Sequence, residues 1–188
     1  MPDDIIIAAF AGSLRKKSFN RMLLHNAVKL SPPGVRVDEI DISEIPLLNV
    51  DIETPPPPAV ARMRDTIRAA DGLLIVSPEY NFSISGVTKN TIDWASRPPD
   101  DSCLDGKPVG LAGCSPGYFG TVRSKFAMLP IVMYNNMHLL NDPMLHVSKA
   151  PEKFNESGEL VDEDTKRDLR ELLEALAAWS RRFKSTTP

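Results

Sequence analysis

Three stretches carry residue types that could do chemistry. The first, Ala11-Gly-Ser-Leu-Arg-Lys-Lys-Ser-Phe-Asn20, follows an apolar run and precedes residues with helical spacing. A glycine that lets the chain turn, hydroxyls at Ser13 and Ser18, the amide of Asn20 and the cation of Arg15 suit an anion, and a helix start adds backbone N–H groups. No glycine stands where a Walker A loop needs one before Lys16-Lys17-Ser18, and GxGxxG is absent. The bland alternative is an ordinary strand-to-helix turn with a serine cap. The second stretch, Pro78 to Ser85, offers ring faces at Tyr80 and Phe82 and polar edges at Asn81 and Ser83, as a flat heterocycle with donor and acceptor edges requires. Glu79 is a candidate general base; pairing with a Lys or Arg, or capping a turn, is the competing role for a single carboxylate. The third stretch, Ser115 to Gly120, is small and glycine-bearing, so a ring can approach its backbone.

The elements that must position these stretches are apolar runs with no polar alternation. Gly72–Val76 and Ile5–Phe10 read as buried strands, the signature of a parallel sheet, and Lys107–Gly113 as a fourth short strand. Val35–Ile40 alternates like an edge strand, and a short fifth strand is expected within Met137–Leu140. Helices are expected after Ser18, whose apolar positions are Leu23, Leu24, Ala27 and Val28, and after Pro58, with Val60, Met63 and Ile67 buried. A third carries Val87, Thr91, Trp94 and Ala95. A fourth runs from about Thr121, with Pro130 kinking or interrupting it. The last opens at Asp162-Glu-Asp and carries Leu169, Leu172, Leu173, Leu176 and Trp179. Pro55–Pro58 reads as a stiff lead into the second helix, the alternative being a ligand for domains that read a polyproline helix. Strand and helix alternate five times, which predicts one α/β domain over residues 1–188. Its expected form is a flavodoxin-like three-layer fold with a five-stranded parallel sheet in the order 2-1-3-4-5, the ligand lying beyond the carboxyl ends of the central strands.

Composition narrows the classes. With 22 Lys+Arg against 25 Asp+Glu the net charge is −3, which gives no reason to expect nucleic acid or an anionic membrane as partner. No apolar run approaches the roughly 20 residues that span a bilayer. The start Met-Pro-Asp-Asp shows no leader pattern. Cys103 and Cys114 form neither a CxxC pair nor a disulfide framework, so a cytoplasmic location is expected. His25, His138 and His146 are scattered without metal-ligand spacing.

Gly12-Ser-Leu-Arg-x-x-Ser-x-Asn20, together with Pro78-Glu-Tyr-Asn-x-Ser83 and Gly86-x-x-Lys-Asn-x-Ile-Asp-Trp94, resembles the NADPH-dependent FMN reductase family, closest in appearance to its bacterial quinone, chromate and azo reductases. The resemblance extends from the first strand to Phe154–Leu160. It implies bound FMN, with Ser13, Arg15, Ser18 and Asn20 at the phosphate. Pro78, Glu79, Tyr80, Asn81 and Phe82 would lie along the ring and ribityl chain, with Ser115 and Gly117 closing the other side. It implies ping-pong transfer from NADPH or NADH to a small acceptor (quinone, azo compound, chromate or free flavin) with no catalytic side chain, and a homodimer or homotetramer. Ser85 stands where the family usually has proline, and Ser-Pro-Gly-Tyr-Phe-Gly stands where many members have Gly-Gly and then Arg. An electron carrier of flavodoxin type and a flavin-free binding module are the alternatives; such carriers are usually strongly acidic, unlike this chain.

Overall fold

A computed structural model describes residues 4–184; Met1 to Asp3, part of the amino-terminal start read above, lie outside them. The sheet is built from β1 (Ile5–Ala11), β2 (Val35–Glu39), β3 (Gly72–Val76) and β6 (Pro108–Cys114), parallel throughout. Along β1, Ile5, Ile7, Ala9 and Ala11 enter one apolar cluster while Ala8 and Phe10 enter the other. β3 and β6 divide in the same way, Leu74, Val76, Ala112 and Cys114 against Leu73, Ile75, Val109 and Leu111. Side chains alternate across a strand, so runs apolar at every position must be covered on both sides. Helices α1 (Phe19–Lys29) and α5 (Glu163–Lys184) cover one face. Helices α2 (Pro58–Ala69), α3 (Gly86–Ala95) and α4 (Val122–Tyr134) cover the other.

The order is β2-β1-β3-β6, and the fifth position is shared by two short segments. β7 (His138–Leu139) pairs with the start of β6 and β8 (Leu145–Val147) with its end. Between them lies Pro143, which has no N–H to give a ladder. The five-strand expectation therefore holds in order and direction, with its last strand divided.

Two details depart from the sequence reading. Val28 of α1 is exposed, and Asn20 and Asn26 are buried instead. Helix α4 also continues through Pro130 to Tyr134. The carbonyl that loses its partner there belongs to Phe126, and Phe126 and Pro130 both lie on the exposed face, where water can satisfy it.

The Lys-Asn-x-Ile-Asp-Trp run of α3 is structural. Trp94 is fully buried and its Nε1 donates to the Pro46 carbonyl at 2.8 Å. One turn earlier, Asn90 donates to the same carbonyl and accepts from the Leu48 N–H, both at 2.8 Å. Residues four apart share a helix face, so this pair clamps the long connection before α2 onto α3.

Candidate functional site

The three loops leave the carboxyl ends of β1, β3 and β6, the three adjacent central strands. Together they line one crevice of about 310 Å³, with Arg15, Ser18, Phe19 and Asn20 from the first, Pro78, Glu79 and Tyr80 from the second, and Cys114, Ser115 and Pro116 from the third. A larger hollow of about 410 Å³ runs from Ser96 and Arg97 to Asn135 and Asn136, at the other end of α3 and α4, and includes none of these loops.

The first loop is held from three sides. Ser18 is the N-cap of α1, its hydroxyl accepting from the Arg21 N–H at 3.4 Å. Asn20 is buried and its side chain is committed to the third loop. It donates to the Cys114 carbonyl at 2.9 Å and accepts from the Cys114 N–H at 3.0 Å. Asn20 thus positions the loop through its amide group. Gly12 has no left-handed backbone; its missing side chain is needed for contact. A Cβ there would stand 1.8 Å from Thr88 Oγ1 and 3.1 Å from Ser85 Oγ.

Those two hydroxyls belong to a buried relay. Ser85 caps α3 by accepting from the Thr88 N–H at 3.0 Å, and its own hydroxyl donates to the Gly12 carbonyl at 2.7 Å. Thr88 Oγ1 lies 2.9 Å from Ser85 Oγ and 3.1 Å from Ser77 Oγ. Serine in the place of the usual proline therefore ties the second loop to the first.

Among the described residues, no acceptor is found for the N–H groups of Phe19 and Asn20 at the first turn of α1, as is intrinsic to a helix start. With the Arg15 guanidinium on the same crevice they form a donor set that matches a phosphate. Phe19, beside Arg15 (5.6 Å from guanidinium carbon to ring centre), is backed by Phe154 at 5.9 Å between ring centres. Ser13 lies elsewhere: it lines a neighbouring hollow of about 310 Å³ with Leu14, Arg21 and Asp41, on the β2 side of the loop.

The second loop is a hairpin, which the sequence did not disclose. β4 (Glu79–Tyr80) pairs antiparallel with β5 (Ser83–Ile84) around Asn81 and Phe82, whose φ values are 50° and 64°. Two left-handed residues in succession make the type I′ turn that suits strand twist, usually signalled by Asn-Gly. Phenylalanine at the second position concealed it.

Glu79 is fixed as a helix cap and ion-pair partner. One carboxylate oxygen accepts from the Arg123 N–H at 3.0 Å and, more weakly, from the Ser124 N–H at 3.4 Å; the other meets Arg123 Nε. Its side chain is 7% exposed. The Arg123 guanidinium also lies 4.0 Å from the centre of the Phe82 ring and 5.3 Å from that of Phe119. Arg123 was missed because its partner is 44 residues away in the chain. Tyr80, Phe82, Tyr118 and Phe119 leave large exposed ring surfaces on the hairpin and third loop. Gly117 does not line the crevice, but its carbonyl accepts from the Lys149 N–H at 3.1 Å, fixing the third loop to the segment after β8.

Cys114 is buried, and that burial pushes its thiol well above the ordinary range, so it is no nucleophile. Among the described residues no cluster of His, Cys, Asp or Glu could hold a metal ion, and no helix is long and apolar enough to cross a membrane.

Residues 5–152 match the NADPH-dependent FMN reductase family. The chain is 43% identical over 185 residues to the NAD(P)H-dependent FMN reductase of Pseudomonas aeruginosa, covering 98% of this chain and 100% of the relative. It is 42% identical over 187 residues to an NADPH:quinone oxidoreductase of Arabidopsis thaliana, covering 96% and 94%. Among solved structures, FerB, a flavoenzyme NAD(P)H:(acceptor) oxidoreductase of Paracoccus denitrificans, superposes with a TM-score of 0.86 at 30% identity, covering 95% of this chain and 98% of its own. The chain belongs to the NADPH-dependent FMN reductase family. It is an FMN-dependent oxidoreductase with NAD(P)H as electron donor.

Proposed function

We propose that the three-loop crevice is where this enzyme holds FMN, and that a quinone is its electron acceptor. The observation that supports this most directly is the convergence of the βα loops of three adjacent strands on one crevice, with the unpaired N–H groups of Phe19 and Asn20 beside Arg15. Arg15 and Ser18 would serve the phosphate, through loop backbone as well as side chains, whereas Ser13, which lines the neighbouring hollow, would not reach it. Asn20 would act by fixing the loop to Cys114. Pro78, Tyr80 and Ser115 would flank the ring. Asn81, Phe82 and Gly117, outside the lining of the crevice, would meet ligand only at its mouth, and Glu79 would hold the hairpin there through Arg123. FMN, when bound, supplies acceptance of hydride from NAD(P)H and delivery of reducing equivalents to the acceptor, so the chain needs no acid–base pair of its own. The task left to the protein is to bind, orient and exclude water, and the exposed rings of Tyr80, Phe82, Tyr118 and Phe119 offer a flat acceptor aromatic surface.

A cytoplasmic homo-oligomer is part of this reading. Cys103 and Cys114 are both free and buried. Helix α4 presents Phe126, Met133 and Tyr134 at 66%, 79% and 89% exposure, seven and eight residues apart on one face, which suits a subunit contact. Light scattering would give the assembly, and a monomer would remove that part.

The test of the whole is a visible spectrum of the purified protein followed by anaerobic titration with NADPH and then a quinone. A flavin spectrum that bleaches with NADPH and returns with quinone is expected. A colourless protein that refuses added FMN would overturn the assignment.

A further inference from the structure

Helix α4 turns one cation inward. Lys125 is 4% exposed, a position lysine almost never takes without a partner. Its Nζ donates to the Thr121 hydroxyl at 2.6 Å and takes part in no ion pair among the described residues. An ammonium has three N–H groups, so two are left over. The titratable groups facing it are the Cys114 thiol at the end of β6, Glu79 on the hairpin, already engaged by Arg123, and the His146 imidazole on β8. Burial pushes the amine down to about 7.

Lys125 lines a cavity of about 200 Å³ between α4 and β8, together with Val122, Phe126, Leu129, Met144 and His146. None of these residues lines the three-loop crevice. Apart from the amine and the imidazole, its walls are aliphatic, aromatic and thioether groups. A space of this size admits one ring or a short branched chain and is too small for a flavin or a nucleotide. A single amine can balance one negative charge, and a dianion such as a phosphate ester would leave charge stranded among apolar walls.

We propose that this cavity is a second binding site, separate from the FMN crevice, for a small apolar monocarboxylate. Its two oxygens would take the spare N–H groups of Lys125, and its ring or chain would lie against Phe126, Leu129 and Met144. The inference rests on the geometry around Lys125 and stands independently of where FMN binds.

The test uses the purified full chain with its flavin and benzoate as probe, followed by calorimetry in buffers of different ionisation enthalpy. Saturable binding at one site per chain is expected. Binding near pH 8 should take up about one proton, because the free amine is then mostly neutral and the bound one is an ammonium. Uptake should fall toward zero near pH 6, where the ammonium is already present. Benzamide, equal in shape but uncharged, should bind at least roughly tenfold more weakly. Lys125→Met should abolish benzoate binding, and so should Leu129→Trp, which fills the cavity and leaves the amine. The two substitutions reach the cavity by different routes, and retained flavin content reports folding in each. Absent saturation, equal binding by Lys125→Met, or no proton uptake near pH 8 would each overturn the proposal.

Discussion

The first loop and the hairpin border the same crevice but are held by opposite means. Around Gly12–Asn20 the restraints are neutral, buried and reciprocal: Asn20 with both backbone groups of Cys114, and Ser85 and Thr88 against Gly12. Around Glu79–Ile84 they are ionic and open toward the surface on one side: a buried carboxylate on a partly exposed arginine, that arginine on an exposed ring, and a turn of two left-handed residues. Buried neutral bonds leave costly orphans when one partner is removed. An ion pair whose arginine is 39% exposed loses part of its worth to solvent and salt, although its carboxylate is buried. The first loop is thus built to be rigid, and the hairpin to be adjustable at the mouth.

Six substitutions would break or sharpen that contrast. Asn20→Leu should have the largest effect, about 2–4 kcal/mol of stability, because it leaves the Cys114 N–H and carbonyl without their side-chain partners; urea unfolding measures it. Gly12→Ala forces a methyl group onto Thr88 and should cost about 1–3 kcal/mol. Adding Thr88→Ala should recover part of that loss, a non-additivity visible in a double-mutant cycle. Arg15→Ala should leave the unfolding curve in place and weaken FMN by about 1.5–3 kcal/mol, read by fluorescence titration. An unchanged dissociation constant would take Arg15 out of the site.

On the hairpin the effects should be smaller. Glu79→Gln keeps an acceptor for the α4 amides and loses the ion pair, at about 1 kcal/mol. Its difference from the parent should shrink in high salt, whereas that of Asn20→Leu should not. Phe82→Gly removes about 1 kcal/mol of left-handed strain and a cation–π contact of similar size. Stability should stay nearly level while the quinone KM rises. A large stability loss would show that the hairpin is as rigidly built as the first loop.

Much of this contrast could not be read along the chain. Gly72-Leu-Leu-Ile-Val76 announces a central strand because apolar side chains on both faces admit one solution, and Ser18 announces α1 because a hydroxyl beside orphan N–H groups is a local event. The Asn81-Phe82 turn lacked the glycine that signals its type. The fifth strand looked single because Pro143 interrupts its ladder only once β6 is beside it. Along the chain the Asn20 side chain reads as a free polar group, and only the fold puts its amide on Cys114, 94 positions on.

The sequence by itself determined the alternation of buried strands and amphipathic helices, their parallel order and the three loops at the strand ends. These follow from periodicity and caps, which act over a few residues. The tertiary structure alone decided which polar side chains are free to meet a ligand and which are committed to the frame. Hydrogen bonds and ion pairs between distant segments use up donors and acceptors without leaving a mark in local spacing. That is why the commitments of the Asn20 amide and the Glu79 carboxylate, like Arg123 and Lys125, came into view only in the folded chain.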